Sequence, residues 1–214
     1  MLLEHGTKLL FIGDSITDAG RDREWGNGGL GNGYVMFVDA LLAVLYPERR
    51  IKVVNRGVSG DRITDLRKRW KTDVLDERPD WLTVMIGIND VWRQFDWAEE
   101  ELNTREEFKE IYLSLLEQLR GEMKGIILMS PFYLEKNREE PMRKMMDDYG
   151  SAVKEVAEET GALFIDTQRE FDELLTVRPT QAVSYDRIHP FPVGHMILAK
   201  SFLRAIGAEG NKKV

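Results

Sequence analysis

A serine, a histidine and an aspartate with suitable neighbours can carry out acyl transfer, and this chain holds the parts. Ser15 lies in Gly13-Asp14-Ser15-Ile16, directly after the apolar run Leu9-Leu10-Phe11-Ile12. Asp186 and His189 lie in Asp186-Arg187-Ile188-His189-Pro190. A serine hydroxyl is a weak nucleophile until an adjacent base takes its proton. Histidine is the usual base near neutral pH, with an unperturbed pKa of about 6.5. A carboxylate that accepts from the other ring nitrogen fixes the tautomer and stabilises the imidazolium. Asp186 can do this from the same turn, and Pro190 keeps His189 extended rather than mid-helix. The negative charge that develops on a carbonyl oxygen needs fixed donors. The backbone N–H groups of Ser15 and Gly60, with the Asn89 side-chain amide, can supply them. Each residue alone has a plainer reading: Ser15 as a helix N-cap, Gly60 as a turn or cap, Asn89 as a turn residue. Only their convergence would single out the chemical reading.

Convergence depends on the elements that carry them. Strand-like apolar runs recur at 9–12, 51–55, 81–86, 125–129 and 162–166. Helical spacing fills the intervals at 34–46, 61–75, 106–119 and 142–160, with a last helix over 191–206. In the second of these, Ile63, Leu66, Trp70 and Val74 form one stripe. The methionines of 142–160 read as core filling, and Gly161 as that helix's stop. Alternation of strand and helix predicts an α/β domain: a five-stranded parallel sheet with helices on both faces, in the order 2-1-3-4-5. The loops after the first three strands then carry Ser15, Gly60 and Asn89 to one carboxyl edge, where open α/β sheets bind ligands. The segment holding Asp186 and His189 follows the fifth strand and can return to that edge.

Composition narrows the classes. The chain has 214 residues, 43% of them apolar and 31% charged, which suits one soluble domain over 1–214 with a frayed tail at 208–214. A net charge of -7 without a basic block argues against a nucleic-acid partner. There is no cysteine, hence no disulfide or thiolate chemistry. No stretch approaches the ~20 apolar residues of a membrane span, and the amino terminus lacks the pattern of a secretory signal. A cytoplasmic protein with no membrane partner is expected. No cofactor is expected either, and no metal: His189 and His195 lie six residues apart without a third ligand. Of the other histidines, His5 sits near the amino terminus, and His195 lies inside the last helix with a packing or hydrogen-bonding role. The glycine-rich loop 20–33 lacks the Gly-Lys-Ser/Thr of a phosphate cradle and reads as a loop rimming the site, with Trp25 as a lid side chain. Trp92, Trp25, Tyr185 and Asp14 are the candidates for contact with substrate, Trp92 being equally readable as a core or interface aromatic.

Gly13-Asp14-Ser15-Ile16, Gly60, Gly87-Ile88-Asn89-Asp90 and Asp186-Arg187-Ile188-His189-Pro190 resemble the four sequence blocks of the SGNH (GDSL-type) esterases and lipases, in order and spacing across nearly the whole chain. The resemblance implies a flavodoxin-like three-layer fold with a shallow, open site. It also implies Ser15 as nucleophile, His189 as base, Asp186 as its partner, and an oxyanion hole from Ser15, Gly60 and Asn89. Gly87 to Gln94, Met129-Ser130-Pro131-Phe132-Tyr133 and Pro141-Met142-Arg143 are further similar to the intracellular acetylxylan esterases of Gram-positive bacteria. Those are serine esterases that deacetylate short xylo-oligosaccharides after uptake, which implies an acetylated sugar as the small-molecule substrate and a homo-oligomer. One departure stands out. Asp61-Arg62 follow Gly60 where small polar residues are expected, adding charge on the substrate's approach. The competing readings are a thioesterase or lysophospholipase on the same triad, and a non-catalytic carbohydrate-binding module.

Overall fold

Leu9, Leu10, Phe11 and Ile12 are all fully buried, so the strand they form has helices over both faces and no need to alternate apolar with polar. In a computed structural model, residues 1–22, 29–96 and 102–208 are described. The strand, β1 (Lys8–Gly13), lies between β2 (Lys52–Gly57) and β3 (Trp81–Met85); β4 (Gly125–Met129) and β5 (Leu163–Ile165) complete the sheet. Every pairing is parallel and the order is β2-β1-β3-β4-β5, as expected.

The register sets the height of the loops. Gly13 pairs with Gly57 on one side and Met85 on the other; Met85 pairs with Met129, and Met129 with Ile165. The chain therefore leaves all five strands near one rung, and the loops beyond them emerge at the same level.

The helices are α1 (Ser15–Asp18), α2 (Tyr34–Leu45), α3 (Ile63–Trp70), α4 (Ile88–Trp92), α5 (Arg105–Glu117), α6 (Pro141–Thr160), α7 (Thr167–Leu175) and α8 (Pro192–Ala205). The first crossover runs one way along the sheet and the next three the other way. Right-handed connections then put α2 on one face and α3, α5 and α6 on the opposite face. On the first face α8 packs against α2 and α7; on the second α5 bridges α3 and α6. The single helix expected over 61–75 is shorter. It ends at Trp70, and residues 71–75 form a wider turn closed by Asp76 N–H donating to the Lys71 carbonyl at 2.8 Å. Val74 stays buried, so the apolar stripe survives the change of winding. Met142 and Met146 are core residues, and Gly161 ends α6 with φ +72°.

Among the described residues three helices are additional to those expected. α1 and α4 are too short for apolar periodicity to reveal. α7 had a signal: Asp166 caps it by accepting from Arg169 N–H, and Phe171 and Leu175 are buried at i, i+4. A buried Arg143 ties α6 to α7 through Asp172 (2.7 Å), with Asp147 at 2.9 Å on its other side. Of the tail expected over 208–214, Ala208 is buried, and 209–214 lie outside the described residues.

A very close backbone approach lies at the end of β1. A Cβ on Gly13 would collide with the Met85 carbonyl oxygen and lie 2.5 Å from Thr17 Oγ1. Backbone cannot yield as a flexible side chain does, so Gly13→Ala is expected to cost ~2 kcal/mol or more. Thermal unfolding should show a Tm lowered by roughly 4–8 °C; an unchanged Tm would mean the turn has room that the structure denies it.

Candidate active site

The turn after Gly13 converts strand to helix within one residue. Asp14 is the N-cap of α1, its Oδ1 accepting from Ile16 N–H at 2.9 Å, and Ser15 is the first helical residue. Asn55 on β2 holds this turn down by donating to the carbonyls of Thr17 (2.7 Å) and Leu30 (2.9 Å). Ser15 Oγ is thus left at the sheet edge, 2.8 Å from His189 Nε2. His189 Nδ1 lies 2.6 Å from Asp186 Oδ2. A carboxylate only accepts, so Nδ1 carries the proton and Nε2 is free to accept from the serine hydroxyl.

Asp186 is fixed by more than the imidazole. Its Oδ1 accepts from Ser184 Oγ (2.8 Å), Ile188 N–H (2.9 Å) and His189 N–H (2.8 Å). Burial pushes this carboxyl up, but the hydrogen bonds from His189, Ile188 and Ser184 outweigh it and hold it well below the usual carboxylate range. Arg187, between the two, adopts φ +67°, which brings Asp186 and His189 to one side of the loop. Its guanidinium pairs with Glu135 at 2.7 Å and lies over the Tyr133 ring, while its carbonyl accepts from Leu134 N–H at 2.9 Å. The segment after β4 is therefore the support of the histidine loop.

The other side is built from the second and third blocks. Gly60 has φ +88°, a left-handed conformation that favours glycine. Ser59 is held by Asp18, which accepts from its hydroxyl at 2.7 Å and its N–H at 3.1 Å. Asn89 is buried, and its Nδ2 donates to the Asp61 carbonyl at 3.0 Å, leaving one amide hydrogen uncommitted there. Asp90 caps α3 through Ile63 N–H. The third loop thus holds the second in place.

Ser15, Gly60, Asn89, Trp92, His189 and His195 line one cavity of about 450 Å³. The Trp92 ring stands edge-on to His189 with centroids 6.5 Å apart. Two other candidates are placed elsewhere. Asp14 is 1% exposed and caps α1 beneath the site, not in its wall. Tyr185 is 85% exposed and rests its ring against Phe191, outside the cavity. Trp25 lies outside the described residues. The extra charge expected at Asp61 does not line this cavity. Its carboxylate turns back to Arg69 Nε at 2.6 Å, and the same guanidinium donates to the carbonyls of Arg56 (2.6 Å) and Gly13 (3.0 Å). Sequence reasoning missed Arg69, which joins the ends of β1 and β2 to the Gly60 loop; its position in the α3 charge cluster hid it. Arg93 also lines the cavity, its guanidinium 5.4 Å from the Trp92 ring centre. A larger cavity of about 580 Å³ between α6 and α7 contains no hydroxyl paired with a base, and its Arg143 is committed to Asp147 and Asp172. Among the described residues no group of three His, Cys, Asp or Glu side chains could hold a metal ion.

A hydroxyl, an imidazole and a carboxylate in hydrogen-bonded sequence, beside backbone and amide donors at a strand's carboxyl end, define a site for acyl transfer on an α/β sheet. Comparison with known proteins agrees. Residues 11–197 match the GDSL-like lipase/acylhydrolase family, and the chain belongs to it. It is a carboxylic ester hydrolase. The chain is 51% identical over 214 residues to an acetylxylan esterase of Geobacillus stearothermophilus, covering 98% of each. The crystal structure of that enzyme superposes with a TM-score of 0.93 over 97% of both chains. Further structures of it, described as catalytic mutants, replace a serine, an aspartate or a histidine by alanine. An α/β hydrolase from the metagenome of Lake Arreo, Spain, is 42% identical, with a TM-score of 0.95 over 99% of this chain and all of that one.

Burial raises the Asp14 carboxyl to about 7, with Asp90 and Asp61 nearby adding to the shift. A carboxyl raised above its unfolded value of about 3.9 binds more protons folded than unfolded at intermediate pH. Its stabilising contribution is full below about pH 4 and is lost as pH rises through about 7. Asn caps a helix as well as Asp does, so Asp14→Asn is expected to raise Tm at pH 8 and to leave it nearly unchanged at pH 4. A Tm shift of the same size at both values would show that Asp14 does not carry this pH dependence.

Proposed function

We propose that this protein is a serine esterase that removes acetyl groups from carbohydrate, with short acetylated xylo-oligosaccharides as its substrates. The observation that carries the reading is the unbroken chain Ser15 Oγ, His189 Nε2, His189 Nδ1, Asp186 Oδ2, with bonds of 2.8 and 2.6 Å, opening on the cavity that Gly60 and Asn89 also line. Likeness to the Geobacillus acetylxylan esterase over the whole chain supports the substrate class.

In the first half-reaction Ser15 Oγ attacks the acetyl carbonyl carbon while His189 Nε2 takes the hydroxyl proton. The carbonyl π-electrons move to oxygen, and the N–H groups of Ser15 and Gly60 with the free Asn89 amide hydrogen bind that oxyanion. The tetrahedral adduct collapses, the bond to the sugar oxygen breaks, and His189 returns its proton to the leaving alcohol. Water then attacks the acetyl-serine, His189 again accepting a proton and passing it to Ser15 Oγ as acetate departs. Asp186 stays ionised throughout, since its hydrogen bonds hold it well below the usual carboxylate range, and it stabilises each imidazolium in turn. Trp92, beside His189, offers an apolar wall to a sugar ring. The resemblance of the sequence blocks to intracellular acetylxylan esterases is the ground on which a cytoplasmic, homo-oligomeric enzyme is proposed. Among the described residues no helix is long and apolar enough to cross a membrane.

With Ser15→Ala, kcat on p-nitrophenyl acetate is expected to fall on the order of 10⁴–10⁶-fold with folding intact; near-normal turnover would end this mechanism. Chain-length preference separates the acetyl esterase from a thioesterase or lysophospholipase. Acetyl esters, including acetylated xylo-oligosaccharides, should exceed p-nitrophenyl octanoate in kcat/KM by roughly 100-fold or more, since each CH₂ a pocket can bind or refuse is worth ~1–3 kcal/mol. Preference for octanoate would give the site to a long-chain substrate.

A further inference from the structure

His195 has no part in the relay, yet it shares the cavity with Ser15 and His189. It sits in the second turn of α8 and is 8% exposed. The backbone N–H of Tyr34 donates to its Nδ1 at 3.2 Å. An imidazole nitrogen that accepts carries no proton, so the neutral ring is protonated at Nε2. Burial, with the nearby His189, pushes its pKa down to about 4, keeping the ring neutral where a cation would oppose the His189 imidazolium.

The ring's seat is shaped for it. A Cβ on Gly33 would lie 2.9 Å from His195 Cε1 and 3.0 Å from Nδ1, so a side chain there would displace the imidazole. The glycine-rich stretch that sequence reading assigned to a loop rimming the site ends at this residue, and Gly33 begins α2 as its N-cap. The Nδ1–Cε1 edge packs on Gly33 and Tyr34, while Nε2 is not among the fully buried unpaired atoms and so is open on a residue that lines the cavity. Nε2 has no hydrogen-bond partner among the described residues.

We propose that His195 Nε2–H is a substrate-binding donor that takes an oxygen of the sugar portion of the ester, and so selects carbohydrate esters over others of the same acyl group. This rests on the reading of the site as a carbohydrate deacetylase. The kind of oxygen follows by elimination. The acetyl carbonyl oxygen goes to the donors of Ser15, Gly60 and Asn89, and the bridging oxygen receives the proton from His189. The acceptors that remain on an acetylated sugar are its free hydroxyls and its ring and glycosidic oxygens. When an apolar leaving group covers this N–H it loses water without gaining a partner, and that penalty is the source of the discrimination.

The test compares kcat/KM on an acetylated xylo-oligosaccharide with kcat/KM on p-nitrophenyl acetate, which has the same acyl group and no sugar oxygen. For His195→Leu the ratio of the two is expected to fall roughly 10-fold. His195→Gln should recover most of it, because the amide carbonyl can accept from Tyr34 N–H while its NH₂ donates to the sugar. Equal losses on the two substrates, or no loss on either, overturn the proposal. Loss of selectivity in His195→Gln as large as in His195→Leu does so too. Wild-type protein that turns over p-nitrophenyl acetate but no acetylated sugar instead brings down the substrate class, and this contact with it.

Discussion

The constraint on which the site depends is the absence of side chains at both Gly13 and Gly57, paired on one rung of the sheet. The chain folds back over the strand ends immediately after β1. There, a Cβ on Gly13 would meet the Met85 carbonyl, and one on Gly57 would meet the backbone of Asp18. Any L side chain at either position would lift α1 off the sheet edge and carry Ser15 away from His189. Close contact lets Val58 N–H donate to the Gly13 carbonyl at 3.0 Å and lets Asn55 reach the Thr17 carbonyl. Ser15 is held by backbone packing and buried hydrogen bonds, with no contribution needed from its own side chain.

The histidine side has no strand to fix it, since the loop bearing Asp186 and His189 is exposed and comes after a short helical turn. Its rigidity comes from hydrogen bonds. Asp186 gathers donors from Ser184, Ile188 and His189, and Arg187 is clamped to the segment after β4. Phe191 N–H then donates to the Val183 carbonyl at 2.7 Å, closing the base of the loop just before α8 begins. Packing of α8 against α2 sets where this loop stands relative to the turn that carries Ser15. A separation of 174 positions between Ser15 and His189 is thus bridged by one helix pair and one polar loop.

What could be read from the chain divides along a physical line. Strand order and the edge on which Ser15, Gly60 and Asn89 emerge follow from apolar runs and crossover handedness, and these were legible. Where a polar side chain turns within its loop was not. Asp14 is spent beneath the site because a turn this tight needs a cap for α1. The charge of Asp61 is withdrawn by Arg69, eight residues on, a pairing set by how α3 packs against the ends of β1 and β2. Tyr185 precedes Asp186 in sequence but lies outside the cavity, because its ring packs edge-on against Phe191 at the start of α8. His195 was readable only as a helical residue with an inner face. That its ring edge meets the catalytic cavity depends on a glycine 162 positions earlier, and no local pattern carries that information.

An ester hydrolase that gathers negative charge on an oxyanion would be expected to keep carboxylates at a distance, yet Asp14, Asp61 and Asp90 lie in the elements that carry Ser15, Gly60 and Asn89. They meet that conflict in two ways. Asp61 is neutralised by a guanidinium held by two backbone carbonyls. Asp90 spends its oxygens on the amino terminus of α3, and burial raises it to about 7, so the proton-bound, uncharged form is favoured below neutrality. Asp14 does the same for α1. A neutral carboxyl can still accept the capping hydrogen bond through its carbonyl oxygen, so the turn keeps its geometry without a full charge behind the forming oxyanion. Capping and catalysis ask opposite things of these acids, and burial reconciles them by making protonation easy where the charge would oppose the chemistry.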